Sequence, residues 1–211
     1  FKPSRSELLR RTSTAVAIGD GIIRDRRKAM GGPVPFRNHD FKPCSAPLGV
    51  SFETTLKGTG TGQQSTTLAW VSLMTQLCKD PSIGKLLVPI VPDEGQTFGM
   101  PPMYKAFGIY STIGQIYNPV DKGTLTEYRE STSGQIFQEG INEAGAMCSW
   151  IAAATSYSHS DQVTVPFYIF YSMFGMQRIG DLAWAAADQR ARGFLLGATA
   201  GRTTLNGEIG R

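Results

Sequence analysis

Apolar positions are sparse and irregular over the first sixty residues and become periodic after them. From Ser65, the run Ser65-Thr-Thr-Leu-Ala-Trp-Val-Ser-Leu-Met-Thr-Gln-Leu-Cys78 sets Leu68, Val71, Leu73, Met74 and Leu77 at helical spacing behind a Ser/Thr cap, and Lys79-Asp-Pro81 ends it. Leu86-Leu-Val-Pro-Ile-Val91 is a short apolar run suited to a buried strand, although Pro89 moves the expectation toward a sheet edge or an irregular end. A Tyr- and Gly-rich stretch between Tyr104 and Tyr128 follows. The pattern then becomes regular and predicts a strand over 135–138, a helix over 142–157, a strand over 163–171, a helix over 173–192 and a strand over 194–199. Strands alternating with helices of this length predict βαβ units, hence an α/β fold with a mainly parallel sheet flanked by helices.

Right-handed crossovers carry the carboxyl ends of such strands to one rim, and open α/β sheets bind ligands in the crevice beyond those ends. The chemistry-bearing residues collect there: Asp93 and Glu94 after the first strand, Glu143 after the second, Tyr171 and Phe174 after the third, and the segment from Thr199 to Glu208 after the last. Glu143 stands where Gly140 hands a strand over to a small-residue helix, so its carboxylate falls in a first helical turn. Acids are common in first turns simply because they complement the helix dipole, and position alone favours that structural role. The company it keeps on the rim argues for a site.

Residues 1–63 read as a linker-like, partly disordered segment, and 64–211 as the domain. The front segment holds Pro3, Pro33, Pro35, Pro43 and Pro47, the Gly31-Gly32 pair and Gly58-Thr-Gly-Thr-Gly62. Its one candidate helix, Ser6 to Val16, is weak, and Asp25-Arg-Arg-Lys28 reads as a solvated turn. The net charge of +4 is unevenly spread. Residues 1–57 carry 11 Lys/Arg against 5 Asp/Glu, and the remainder carries 10 against 12. The basic residues are scattered among Pro and Gly without interleaved aromatics, which argues against nucleic-acid binding.

A hydrophobic share of 41% and a charged share of 18%, with no membrane-length apolar run, place the chain among soluble globular proteins and predict no membrane partner. It begins without an initiator Met or an apolar signal core, so it reads as an internal piece of a cytoplasmic protein. Cys44, Cys78 and Cys148 are odd in number and far apart, which fits free thiols in a reducing compartment better than disulfides or zinc. No metal-ligand set is predicted within the chain.

Short motifs add little. Gly19-Asp-Gly21 matches the start of a thiamine diphosphate motif, but Asn38 comes too early for the Asn that should follow, so a turn is expected. Gly197-Ala-Thr-Ala-Gly201 lacks dinucleotide spacing and reads as a tight turn. His39 and His159 are remote from each other and from any nucleophile, so there is no triad; His159 suits a helix C-terminus. Phe167-Tyr-Ile-Phe-Tyr171 reads as a buried strand.

Four longer blocks carry a family resemblance: Val88-Pro-Ile-Val-Pro-Asp-Glu94 with Thr97-Phe-Gly-Met100; Gln138-Glu-Gly-Ile-Asn-Glu143; Pro166-Phe-Tyr-Ile-Phe-Tyr-Ser-Met-Phe-Gly-Met-Gln-Arg178; and Gly201-Arg-Thr-Thr-Leu-Asn-Gly-Glu208. In order and spacing they resemble the middle, pyrimidine-binding domain of the homodimeric bacterial type of pyruvate dehydrogenase first component, over about residues 64–208. The resemblance implies oxidative decarboxylation of pyruvate, with acetyl transfer to a lipoyl group on the dihydrolipoyl acetyltransferase component. It also implies thiamine diphosphate as cofactor, Mg2+ held mainly by a domain absent from this chain, and a homodimer. Among residues, it implies that Glu143 hydrogen-bonds N1′ of the cofactor's aminopyrimidine and that Phe174 packs on that ring. Tyr171, Asp93, Glu94 and Glu208 match positions that handle substrate or hold the hydrogen-bond network, with Glu94, Tyr171 and Glu208 counted as catalytic and Asp93 as cofactor-binding.

The chain departs from the family at Gly95-Gln96, where Ala-Arg is usual, and after Glu208, where a histidine-containing segment is expected. With the diphosphate-binding domain also missing, the isolated chain is expected to be an inactive fragment offering one wall of the site. Two alternatives stand beside this reading: a non-catalytic oligomerisation or interaction module that retains the fold, and another thiamine diphosphate enzyme of the transketolase or 2-oxoglutarate dehydrogenase type. The latter would share the acid but not the long Phe-Tyr-Ile-Phe-Tyr-Ser-Met-Phe-Gly block.

Overall fold

The structure is a computed structural model that describes residues 19–32, 41–47, 49–93, 95–120, 128–172 and 174–198. The chain divides into two compact units, Phe1–His39 and Asp40–Arg211. In the first, residues 19–29 form helix α1, exposed along nearly its whole length. Asp20 lies in its first turn and Arg26, Arg27 and Lys28 in its last, so both ends oppose the helix dipole. Gly32 N–H reaches back to Arg27 O at 2.8 Å and closes the helix through two glycines at positive φ. Gly19-Asp-Gly21 and Asp25 to Lys28, expected as turns, are therefore helical, whereas Ser6 to Val16 lies outside the described residues.

The second unit opens with a 3-10 turn, Gly49–Phe52, and a short helix α2, Glu53–Lys57, both within the segment read as linker-like. Helix α3, Thr66–Lys79, follows the predicted spacing. The Ser65 side chain accepts a hydrogen bond from Leu68 N at 3.2 Å, and Val71, Met74, Leu77 and Cys78 are buried. Leu68, on the same helical spacing, is 46% exposed. Asp80 organises the turn that follows: its carboxylate accepts from Ser82 N at 2.8 Å, from Ser82 Oγ and from Ser51 Oγ.

The remaining elements are β1 Leu87–Val91, α4 Pro101–Phe107, β2 Ile109–Tyr110, β3 Glu130–Ser131, β4 Phe137–Gln138, α5 Glu143–Ala154, α6 Ser156–His159, β5 Val165–Tyr171, α7 Gly175–Asp188 and β6 Phe194–Ala198. The predicted helix over 142–157 breaks at Thr155 into α5 and α6, and His159 ends α6 as expected. Four strands form a parallel sheet in the order β4-β1-β5-β6. The strands β2 and β3 form a small parallel ribbon, joined to the segment before β4 by the bridge Ile109↔Ile136.

Pro89 was expected to push its strand to an edge or an irregular end; β1 lies in the interior of the sheet, with its β4 ladder confined to its last two residues. The odd-numbered residues of β1 turn their peptide groups toward β4: Val91 O accepts from Glu139 N at 3.1 Å, and Leu87 O accepts from the Gln135 amide side chain at 2.8 Å. The ladder with β4 covers only Ile90 and Val91, and the carbonyl of Ile136 is taken by Tyr110 N. Pro89 thus falls where the ladder has run out, and its missing N–H costs nothing.

Alternation along the strands builds two cores. Leu87 and Val91 of β1 and Phe167 and Ile169 of β5 face α3, α4 and the loop carrying Phe98. Ile90, Tyr168 and Phe170 face the other way, onto Ala146, Met147 and Trp150 of α5 and Ile179 and Ala186 of α7. Trp150 Nε1–H donates to Phe194 O at 3.1 Å and fastens α5 to the edge strand. Among the described residues no helix is long and apolar enough to cross a membrane.

The three cysteines are free, with Cys44 and Cys148 exposed and Cys78 buried. Burial pushes the Cys78 thiol up to about 12, so its nucleophilic thiolate does not form near pH 8. A thiol reagent at pH 8 should modify Cys44 and Cys148 and leave Cys78 intact until the chain is unfolded. Mass spectrometry of labelled peptides checks this, and labelling of Cys78 in the folded chain would contradict it.

Candidate functional site

Since β4, β1 and β5 are parallel, their carboxyl ends open on one rim. The connections leaving β1 and β5 run in opposite directions across the sheet, β1 leading toward β4 and β5 toward β6, which makes their junction the switch point where such sheets bind ligands. Helices α5 and α7 both start at this rim and pack side by side on one face of the sheet.

Glu143 is the first residue of α5. Gly140, at φ +74°, turns the chain out of β4, and the Asn142 side chain caps the helix by accepting from Gly145 N at 3.0 Å. The Glu143 carboxylate does not merely sit against the helix dipole. It forms an ion pair with the Arg178 guanidinium from the second turn of α7, with the Glu143 side chain 13% exposed and that of Arg178 48%. Arg178 is thus the ion-pair partner of Glu143. It also lies over the Phe174 ring, 4.7 Å from its centroid. Phe174 meets Tyr171 edge to face at 6.5 Å, and Tyr171 packs on the buried Phe98 at 4.9 Å.

A second cluster gathers at the ends of β1 and β4. Gln138 Nε2 donates to Asp93 Oδ1 at 2.7 Å, and Ser149 Oγ of α5 donates to Glu139 Oε1 at 2.5 Å. Burial, reinforced by the nearby Asp93 charge, pushes the Tyr104 hydroxyl up to about 12. Gly95 is buried against that hydroxyl: a Cβ at 95 would fall 1.5 Å from Tyr104 Oη. At Gly95 the tyrosine thus fills the space a side chain would need. A cleft of about 380 Å³ lies alongside, lined by Gln138, Glu139, Glu130, Tyr128 and the β2 residues. There Tyr117 and Tyr128 both donate to Glu130 Oε1, at 2.7 and 3.0 Å.

The structure therefore brings Glu143, Phe174 and Tyr171 together and sets Asp93 on the neighbouring strand end. Glu94 and Glu208 lie outside the described residues. Four further participants escaped the pattern reading: Arg178, Gln138, Glu139 and Tyr168. Adjacent βα units place helix starts side by side, which was the available signal for Arg178. Tyr168 looked like pure core, and it is wholly buried, but its hydroxyl has no hydrogen-bond partner among the described residues. Burial first, then the Glu143 charge, raise that hydroxyl above the ordinary tyrosine range, and Arg178 opposes the shift. Gln138 Oε1 is likewise buried and without a partner among the described residues. Unpaired buried polar atoms are costly and uncommon in native structures. No group of three potential metal-binding side chains occurs among the described residues.

The chemistry on offer is that of a partly buried carboxylate with an aromatic face beside it, a set suited to a flat, nitrogen-bearing ring. Residues 50–210 match the family model described as pyruvate dehydrogenase E1 component middle domain. The chain is similar to the pyruvate dehydrogenase E1 component of Pseudomonas aeruginosa, at 57% identity over 186 residues, and to that of Cupriavidus necator, at 56% over 187. The protein of the same name from Corynebacterium glutamicum is 50% identical over 186 residues. Each match covers 88% of this chain and 20 to 21% of the relative, so the chain spans about a fifth of the length of the curated relatives it matches.

Proposed function

The chain belongs to the family of the pyruvate dehydrogenase E1 component middle domain, and on that premise we propose that it forms the pyrimidine-side wall of a thiamine diphosphate site. The reaction is the oxidative decarboxylation of pyruvate. Carbon dioxide leaves, and the two-carbon remainder is oxidised to an acetyl group as the disulfide of a lipoyl group on the acetyltransferase component is reduced and takes it up. Thiamine diphosphate, when bound, supplies the electron sink for loss of carbon dioxide.

The chain's own residues position and tune. Glu143 holds the proton shared with N1′ of the aminopyrimidine, as an acid/base partner fixed at the start of α5. Phe174 packs against the ring, with Tyr171 and Phe98 buttressing it from behind. Tyr171, Glu94 and Glu208 handle substrate, and Asp93, held by Gln138, anchors the polar network beside it. The observation that carries this reading is the Glu143 carboxylate, 13% exposed, meeting Phe174 through Arg178 at the rim of a parallel sheet. The buried Tyr168 and Gln138 atoms, without partners among the described residues, fit a polar ligand.

Mg2+ and the diphosphate belong to regions outside this chain, and the working enzyme is a cytoplasmic homodimer. The chain alone should therefore show little or no turnover. The test is pyruvate-dependent reduction of an artificial electron acceptor with thiamine diphosphate and Mg2+. It compares the chain with a chimera carrying residues 50–210 in place of the matching segment of the Pseudomonas aeruginosa relative. Activity in the chimera alone is expected. An inactive but folded, cofactor-binding chimera would instead favour a non-catalytic module.

A further inference from the structure

Asp93 is exposed, so burial does not set the direction of its carboxylate, yet the Gln138 amide meets it at 2.7 Å. Something must hold the chain that presents it. The turn over 95–99, between β1 and α4, is closed by Met100 N donating to Gly95 O at 2.8 Å and by Gly99 N donating to Gln96 O at 2.9 Å. Its far end is pinned by Phe98, wholly buried against Tyr171, and by Gly99, where a Cβ would fall 2.4 Å from Leu68 Cδ2. Its near end, two residues from Asp93, rests on Tyr104 of α4. A Cβ at Gly95 would fall 1.5 Å from Tyr104 Oη and 2.6 Å from its Cζ, so the phenol occupies the room that a side chain at 95 would take.

A phenylalanine would fill the core at 104 without burying a hydroxyl, which costs free energy to take out of water. Tyr104 is 4% exposed, and its ring is braced by Tyr128, edge-on at 6.1 Å, whose own hydroxyl is tied to Glu130. A packed stack, not a mobile surface chain, thus delivers the hydroxyl to Gly95. That hydroxyl lies in the field of the Asp93 charge and stays protonated at neutral pH. Resting on the assignment of Asp93 to the proposed site, we infer that Tyr104 is a positioning residue: its hydroxyl, seated at Gly95, fixes the turn that presents the Asp93 carboxylate to Gln138 and to the rim.

The readout is the NMR resonance of the Gln138 side-chain amide in the isotope-labelled chain, with Asp93→Ala marking its position when the bond is lost. Gly95→Ala should move the resonance to that position, because the added methyl pushes the turn off Tyr104. Adding Tyr104→Leu, which removes both Oη and Cζ, should return it most of the way to the wild-type position. In the chimera, Gly95→Ala should weaken thiamine diphosphate binding about tenfold, the loss expected of a hydrogen bond to a charged group. The kcat at saturating cofactor should stay within about twofold, since what is lost is binding common to ground and transition states. A Gln138 resonance that does not move in folded Gly95→Ala, or is not restored by Tyr104→Leu, would overturn the role of Tyr104 and leave the cofactor-wall reading intact. Unchanged cofactor affinity in a chimera that binds thiamine diphosphate would do the same. A wild-type chimera that binds none would overturn the cofactor-wall reading, and the Gln138 resonance would still decide whether Tyr104 holds Asp93. If Gly95→Ala gives no folded spectrum, Tyr104→Phe decides: its Gln138 resonance should shift partway, and an unmoved one sinks the proposal.

Discussion

Glu143→Gln lowers pyruvate-dependent acceptor reduction by the chimera about 10²- to 10⁴-fold, the range expected when a positioned acid/base group is removed. Gln keeps the length and a hydrogen-bonding oxygen but cannot give up or take a proton at neutral pH, so the loss should appear in kcat more than in the affinity for pyruvate. Stability should change little. The ion pair it breaks reaches water through the half-exposed Arg178, and exposed pairs contribute at most about 1 kcal/mol. Steady-state kinetics beside a denaturant melt separates the two effects. A large fall in stability with the residual activity intact would return Glu143 to the structural role that any first-turn acid can have.

Ile90→Ala should produce a large loss of stability. Ile90 is fully buried in β1, paired to Phe137 on one side and Tyr168 on the other, and it packs in the core shared by α5 and α7. Truncation removes buried methylene groups and leaves a cavity that neighbours held by two ladders cannot fill, at a cost of about 2–5 kcal/mol. Equilibrium urea unfolding of the chain measures it. Trp184→Ala provides the contrast: this larger side chain is 76% exposed, and its removal should cost within about 0.5 kcal/mol. Equal losses at the two positions would mean that the core has been misplaced. Since α5 and α7 carry Glu143 and Arg178, Ile90→Ala should also loosen the site.

The same two helices mark how far the sequence could be read. Alternating strand and helix periodicity placed β5, α5, α7 and β6 within a few residues, because each buries a regular set of apolar positions. From there the rim followed, and with it the grouping of Glu143, Tyr171 and Phe174. The failures have physical causes. Pro89 argued for an edge or an irregular end because local propensity cannot see that β4 is only two residues long. The split at Thr155 was hidden because Thr155 fits a helical pattern, and its hydroxyl turns back to Ile151 O at 2.8 Å. The Glu143–Arg178 pair joins residues 35 apart in sequence and depends on helix packing, which periodicity does not encode. Tyr168 was read as core on its ring alone, and that its hydroxyl lacks a partner among the described residues could be seen only once its neighbours were known.

The central claim is that Glu143 governs the proton chemistry of a bound cofactor. Hydrogen–deuterium exchange at C2 of thiamine diphosphate, measured in the chimera by quenched flow and NMR, tests it without pyruvate. The account predicts that Glu143→Gln slows this exchange at least about 10²-fold, the low end for loss of an acid/base group, while cofactor affinity changes far less. Exchange at the wild-type rate in a variant that still binds the cofactor would contradict it.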